Sequence, residues 1–317
     1  MLKNILVTGA AGFIGFHFAK TCLEKGYNVV ALDNFNDYYS VQLKQDRAKL
    51  LKKSGLTVQV VDICDKQALF SLFESHSFSH VVHLAAQAGV RYSFTHPEVY
   101  LKTNIEGFMH ILQALQQTPT TKLIYASSSS VYGVTDKVPF SLDDPTDRPS
   151  NIYGMTKKSN ELMAFSYNHL YGIQSLGLRF FTVYGPWGRP DMAYFTFTKK
   201  ILNQEPIDVY NGGNCARDFT YIDDVVGALV AALDCDFDCR VLNIGNSHPE
   251  SVHTLIDLIE KETGCRAKQI MQGMQKGEIE TTYADISESK KLLGFEPKVS
   301  LAKGIAEFVR WYRDYNR

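Results

Sequence analysis

Tyr153 and Lys157 stand four residues apart in Tyr153-Gly154-Met155-Thr156-Lys157. On a helix that spacing puts both side chains on one face. A free phenol ionises near pH 10 and is a poor base, but a neighbouring ammonium stabilises the phenolate and brings it into working range. Taken alone, such a pair is more often a solvated helix face than a catalyst. Upstream, Ala126-Ser127-Ser128-Ser129-Ser130-Val131-Tyr132-Gly133 follows an apolar stretch. Four hydroxyls in a row read out of context as a hydrogen-bonded loop. At the carboxyl end of a strand in an open α/β sheet, however, they lie where ligands bind. Proton transfer at a hydroxyl-bearing carbon is the chemistry these groups offer together.

A third feature supports the other two. Gly9-Ala10-Ala11-Gly12-Phe13-Ile14-Gly15 separates the first apolar run from the first helical one. Glycines at this spacing let backbone N–H groups approach a pyrophosphate at a helix N-terminus. Asp33 closes the second apolar run, 18 positions after Gly15. An acid there can bind the adenosine ribose hydroxyls and would repel a 2′-phosphate, which favours NAD over NADP. Asp62 and Ile63, at the end of the third run, are placed for contact with the adenine.

The elements that must hold these groups alternate along the first half. Strands are expected at 4–8, 27–32, 57–61, 80–84, 122–126 and 174–179, with helices at 13–25, 66–74 and 98–117 between them. Near-continuous apolar strands separated by helical segments predict a parallel sheet covered on both faces. Beyond residue 180 the pattern loosens, with helices at 224–233, 251–262 and 301–315. The fold class expected is α/β: a Rossmann-type doubly wound parallel sheet over 1–180, and a smaller C-terminal α/β substrate lobe over 181–317 from which some segments return to the sheet.

Composition narrows the class. The chain has 317 residues, 45% hydrophobic and 21% charged, with 33 basic and 34 acidic side chains for a formal net charge of -1. That balance offers no general attraction to nucleic acid or to a membrane surface. The N-terminal apolar run is too short for a membrane span and lacks a signal-peptide layout. Six cysteines without a paired framework, and histidines without ligand spacing, predict reduced thiols, no metal and a cytoplasmic protein. His83, on a strand, is expected in the core.

With Gly9, Gly12, Gly15, His83-Leu84-Ala85-Ala86, Val131-Tyr132-Gly133 and the Tyr153/Lys157 pair in this order, the chain resembles extended short-chain dehydrogenases acting on nucleotide sugars. Three further stretches are similar to the UDP-glucuronate 4-epimerases among them: Asn36-Asp37-Tyr38-Tyr39, Ala88-Gly89-Val90-Arg91-Tyr92-Ser93, and the run from Phe181 to Met192 containing Gly185-Pro186-Trp187-Gly188-Arg189-Pro190. The resemblance runs from residue 4 to about 315.

The resemblance implies NAD-dependent 4-epimerisation of UDP-glucuronate and UDP-galacturonate through a 4-keto sugar, and a homodimer formed through helices near 98–117 and 153–170. It implies Tyr153 as the acid/base, Lys157 also on the nicotinamide ribose, and Ser128 on the same sugar oxygen. Cofactor contacts are implied for Gly9, Gly12, Phe13, Ile14, Gly15, Asp33, Asn34, Asp62, Ile63, Leu84, Ala85, Ala86 and Asn104. Arg217 would hold the UDP phosphates, and Arg189 would lie on the nucleotide as well. Ser129, Ser130 and Thr182 would surround the sugar's C5–C6 region.

One segment departs from the pattern. Family members often carry Pro-Gly-Asp or Arg-x-Gly-Asp where this chain has Gln275-Lys276-Gly277-Glu278, so Glu278 is the expected uridine ribose contact with one extra methylene. Two other activities stay open. A decarboxylase or dehydratase starts from the same oxidation, but those relatives carry an acid where this chain has Ser129 and Ser130. A non-catalytic NAD-sensing module would have lost the Tyr153/Lys157 pair, which is present.

Overall fold

The computed structural model describes residues 3–135, 137–273 and 280–317. In chain order the first elements are β1 (Asn4–Thr8), α1 (Phe13–Glu24), β2 (Asn28–Asp33), α2 (Val41–Lys53), β3 (Val58–Val60), α3 (Lys66–Ser75) and β4 (His80–His83). There follow α4 (Pro97–Tyr100), α5 (Gly107–Gln116), β5 (Lys122–Ser128), α6 (Ile152–Tyr171), β6 (Ser175–Phe180) and β7 (Thr182–Tyr184). The remainder comprises α7 (Ala193–Leu202), β8 (Pro206–Tyr210), β9 (Ala216–Tyr221), α8 (Ile222–Ala232), β10 (Cys239–Ile244), β11 (Pro249–Ser251), α9 (Val252–Thr263), β12 (Lys268–Gln272), β13 (Thr281–Thr282), α10 (Ser287–Leu293) and α11 (Leu301–Tyr315).

Two compact units share the chain. The first takes Met1–Gly133, Pro145–Phe180 and Val226–Leu242, and the second takes Val134–Asp144, Phe181–Val225 and Asn243–Arg317. In the first unit a seven-stranded sheet runs β10-β6-β5-β4-β1-β2-β3. The pairs from β3 to β6 are all parallel. Strands β4 and β6 are buried at every position and β1 at all but its first, and Leu6, Val81, Leu123, Phe108, Ile111 and Leu112 pack in one core cluster. Each such side chain contributes ~1.5–3 kcal/mol of burial. The direction of winding reverses between β1 and β4, and the crevice outside their carboxyl ends is where an open sheet of this order takes a dinucleotide.

The expected helix over 98–117 is broken. After α4, Leu101–Glu106 forms a π-helical turn before α5 resumes. The turn turns the Asn104 amide inward, where Oδ1 accepts from Gln87 N at 2.9 Å and Nδ2 donates to Gln87 O and Thr156 Oγ1, each at 3.0 Å. An extra residue per turn is the cost of that aim. The third strand also stops short, at Val60, so Asp62 and Ile63 lie in the turn before α3.

The second unit is built around β9, which pairs β11 antiparallel and β7 and β13 in parallel; β8 and β12 form a separate parallel pair. Asp218 at the centre of β9 is fully buried and accepts from the backbone N–H groups of Asn246, Ser247 and Ala284. An aromatic cluster of Tyr184, Tyr194, Phe195, Phe308 and Trp311 joins β7, α7 and α11. Trp187 packs on Trp311 and Tyr315 with its backbone in the left-handed region (φ 59°), a strain that this packing offsets.

Candidate functional site

The turn between β1 and α1 is shaped for a backbone-bound anion. Gly9 has φ +71°, and a Cβ on it would sit 2.7 Å from Ala85 N; a Cβ on Gly15 would meet Gly9 O at 2.1 Å. Only glycine lets the turn close this tightly against Leu84 and Ala85. Gly12, the N-cap of α1, offers no side-chain cap, whereas Ser40, Asp65 and Asn151 cap α2, α3 and α6. The first N–H groups of α1, at Phe13, Ile14 and Gly15, are thereby left for a ligand such as a pyrophosphate. Thr8 Oγ1 accepts from Leu84 N (3.2 Å) and Ala85 N (3.1 Å), which fixes the ends of β1 and β4 and the Leu84–Ala86 backbone beside the turn. These residues fit an NAD pyrophosphate and the ribose beyond it.

Asp33 ends β2 with its carboxylate nearly buried. Oδ2 accepts from Ala11 N at 3.0 Å and Oδ1 from Phe35 N at 2.8 Å. Burial pushes its pKa up; the Phe35 N–H, Lys44, the Ala11 N–H and Arg47 pull the other way. Two lone-pair directions remain for a ribose diol. Asn34 and Asp62 bond each other, Nδ2 to Oδ2 at 3.0 Å, and Cys64 N donates to Asp62 Oδ1. Burial opposes the Asp62 charge, but the Cys64 and Asn34 hydrogen bonds outweigh it and hold the carboxyl below its ordinary range.

The proton-handling groups sit around the end of β5. Asn151 caps α6 through Gly154 N at 2.8 Å. Gly154 approaches the serine loop so closely that a Cβ would lie 2.5 Å from Ser130 O, and this brings the first turn of α6 against Ser130. Ser128 Oγ accepts from Ser130 N at 3.1 Å and caps a short turn over Ser129–Tyr132. Its hydroxyl proton is left to donate. Tyr153 is half-buried and meets Tyr100 edge-on. Lys157 is buried, with Nζ on Ala126 O at 2.9 Å, and burial lowers its pKa to about 8. His83 is a core residue, bonded to Thr8 Oγ1 at 2.9 Å; burial and the Lys157 charge take its pKa to about 3, so it stays neutral.

Sequence reasoning missed what stands behind these groups. Glu161 continues the Tyr153–Lys157 stripe by another i+4 step. It pairs with Arg179 of β6 through two hydrogen bonds of 2.8 and 2.9 Å, and accepts from Ser127 Oγ at 2.6 Å. Arg179 also donates to Tyr132 Oη at 2.9 Å. Both partners are buried. The network therefore ties β5, β6, α6 and the serine loop together directly behind Ser128. Asn104, expected at the cofactor, has its amide engaged with Gln87 and Thr156, while its carbonyl accepts from Asn160 at 2.6 Å; it organises the loop after β4 against α6.

In the second unit Thr182 is half-buried at the start of β7. Arg189 is held by Asp191 in a two-pronged ion pair, at 3.0 and 2.5 Å. Arg217 donates to Ala216 O and Glu280 O, at 2.9 and 3.0 Å. Glu278 and Lys276 lie outside the described residues. Among the described residues no His, Cys, Asp or Glu cluster is arranged to hold a metal.

The chain as a whole is similar to known proteins. Residues 5–245 match the model of the NAD dependent epimerase/dehydratase family. An uncharacterized protein of Methanocaldococcus jannaschii is 48% identical over 98% of this chain and 96% of its own length. UDP-glucuronate 4-epimerase 4 of Arabidopsis thaliana is 46% identical, covering 98% of this chain and 76% of the plant protein. The crystal structure of UDP-glucuronic acid 4-epimerase from Bacillus cereus, in complex with UDP-glucuronic acid and NAD, superposes with a TM-score of 0.93 at 35% identity, over 98% of this chain and 99% of that one.

Proposed function

The chain belongs to the NAD dependent epimerase/dehydratase family, and we propose on that premise that it interconverts UDP-glucuronate and UDP-galacturonate by inversion at C4. It is an NAD-dependent isomerase. The observation that carries the substrate choice is the serine loop at the end of β5. Ser130 lies against Gly154 in the first turn of α6, Lys157 of the same helix is buried on Ala126 O at the end of β5, and the segment from Ser127 to Tyr132 contains no carboxylate. A decarboxylase or dehydratase needs an acid/base for work at C5 or C6, and this loop supplies none.

Gly9, Gly12, Phe13, Ile14 and Gly15 hold the NAD pyrophosphate, Asp33 the adenosine ribose, and Asn34, Asp62 and Ile63 the adenine end. Bound there, NAD would supply the hydride acceptor and donor for C4. Tyr153 removes the C4 hydroxyl proton and later gives it back, with Ser128 donating to the same oxygen. The Lys157 charge favours the phenolate of Tyr153 and binds the nicotinamide ribose. Net redox change is zero, so no second substrate is required. The 4-ketopyranose is hazardous for a uronate, because its carboxylate is β to the new carbonyl and carbon dioxide can leave. Ser129, Ser130 and Thr182 are neutral donors that hold the carboxylate out of line with the carbonyl π system, and Arg189 and Arg217 take the diphosphate.

Incubation with UDP-glucuronate, UDP-glucose and UDP-N-acetylglucosamine, followed by product separation, tests this. The expected result is UDP-galacturonate from the first alone or in large preference. Formation of a UDP-pentose with release of carbon dioxide overturns it.

We further read the protein as a cytoplasmic homodimer. No helix among the described residues is long and apolar enough to cross a membrane. Leu162, Phe165 and Leu170 expose most of their side chains along α6, an apolar stripe that a second copy would cover. A monomeric elution at micromolar concentration would remove that reading.

A further inference from the structure

Two buried cations stand beside Asp33. Arg47 is fully buried and Lys44 nearly so, three residues apart on α2. Arg47 Nη1 donates to Ala11 O at 2.9 Å, while Ala11 N donates to Asp33 Oδ2 at 3.0 Å, so acid and guanidinium grip the same residue of the glycine turn from its two ends. Lys44 Nζ donates to the carbonyl and side-chain oxygens of Asn36, at 2.6 and 2.7 Å, directly beyond the Phe35 N–H that Asp33 accepts. Both cations lie over the Tyr39 ring, 4.6 and 5.6 Å from its centre, and Arg47 also donates to Tyr39 Oη at 2.8 Å. The positive charge of each reaches the Asp33 carboxylate.

We propose that Lys44 and Arg47 are specificity-determining residues of the cofactor site: with Asp33 they form a ribose pocket for NAD, and without its carboxylate they form a receptor for a 2′-phosphate. A buried cation deprived of its counter-charge is costly, and an anion that enters restores the balance. The guanidinium and ammonium also supply the donors that a phosphate needs. Discrimination against NADP thus rests on one carboxylate set against cations that are already in place, so the switch requires no added arginine. The inference rests on the reading of Asp33 as the ribose contact, and the test separates the two.

Asp33→Ser and Asp33→Asn are stripped of cofactor, and binding of NAD, NADP, adenosine 2′-monophosphate and adenosine 5′-monophosphate is measured by calorimetry. The serine variant should shift the NADP-to-NAD affinity ratio by roughly 10–100-fold toward NADP, the range of one charge-assisted hydrogen bond. It should also bind the 2′-monophosphate more tightly than the 5′ isomer. Adding Lys44→Met should remove most of that gain. If NAD binding weakens and NADP gains nothing, the cations are not a phosphate receptor and the proposal fails while the ribose contact stands. If NAD binding is unchanged, Asp33 does not hold the ribose and both fail. Should the serine variant not fold, the near-isosteric asparagine variant carries the same comparison, since it too removes the charge.

Discussion

Replacing Lys157 by methionine should stabilise the cofactor-free protein at neutral pH while stopping turnover. Burial lowers the ammonium pKa from 10.5 to about 8. At ~1.4 kcal/mol per pKa unit, keeping the buried group charged costs roughly 3 kcal/mol. Methionine removes that cost and gives up the hydrogen bond to Ala126 O, worth ~1 kcal/mol, for a net gain of about 2 kcal/mol. With an unfolding entropy of ~2 cal/mol/K per residue, the gain corresponds to a Tm rise of roughly 3 °C. The pH dependence follows from the sign of the shift. Below pH 8 the lysine is protonated in both states and the penalty is full. Between about 8 and 10.5 the unfolded chain holds a proton that the folded one has lost, so the wild type gains stability as pH rises. The advantage of the variant should therefore be complete at pH 7, vanish near pH 10 and give way to a deficit of under ~1 kcal/mol at pH 10.5, where the lost hydrogen bond outweighs what is left of the penalty. Urea unfolding of both proteins at pH 7, 9 and 10.5 measures it. A variant less stable than wild type at pH 7, or an advantage independent of pH, would refute the buried-charge argument.

Tyr153→Phe should retain NAD binding by calorimetry and lose turnover by ~10²–10⁴-fold; near wild-type turnover ends its assignment as acid/base. Glu161→Ala leaves Arg179 charged, buried and unpaired, at a cost of ~3–5 kcal/mol in urea unfolding, whereas Glu161→Leu combined with Arg179→Met should recover most of the stability. Burial works against the Glu161 charge but Arg179 and Ser127 hold its pKa below the ordinary carboxylate value, so its contribution is present above the unfolded-state pKa and is lost as pH falls through the lower folded one; equal acid sensitivity of wild type and Glu161→Ala would contradict this. Ser130→Ala and Thr182→Ala should each lower kcat/KM for UDP-glucuronate more than for UDP-glucose and increase release of carbon dioxide. Equal losses on both sugars without leakage leave the carboxylate contact unsupported.

Much of the sheet was legible because its central strands are buried and read as short, largely apolar runs; β1 and α11 fall where their patterns place them, and most other ends shift by a residue or two. The π-helical turn at Leu101–Glu106 was not legible, since it depends on Asn104 reaching Gln87 and Thr156, partners distant in sequence. Local propensity carries no trace of such contacts. The glycine turn, Asp33 and the Tyr153/Lys157 pair were readable because each has a fixed spacing within one strand–helix junction or one helix. Glu161 lay on the same stripe, but its role depends on Arg179, which reads as an ordinary charge interrupting a strand. Lys44 and Arg47 look like the solvated face of α2, and only the fold turns them inward. Arg189, expected on the nucleotide, is engaged by Asp191 two residues on, an ion pair that spacing alone does not distinguish from two independent surface charges.

The position of β10 at the end of the seven-stranded sheet bears on how the protein can be made. Its neighbour β6 is buried along its whole length, yet β10 leaves the ribosome roughly 60 residues after it. At ~5–20 residues per second, the nascent chain spends about 3–12 s with a long apolar strand edge uncovered. A fragment ending at Phe180, though it carries the glycine turn, Asp33, the serine loop and Tyr153, keeps that edge open permanently. Such a fragment should aggregate when expressed alone and become soluble when a peptide spanning 226–244 is supplied in trans.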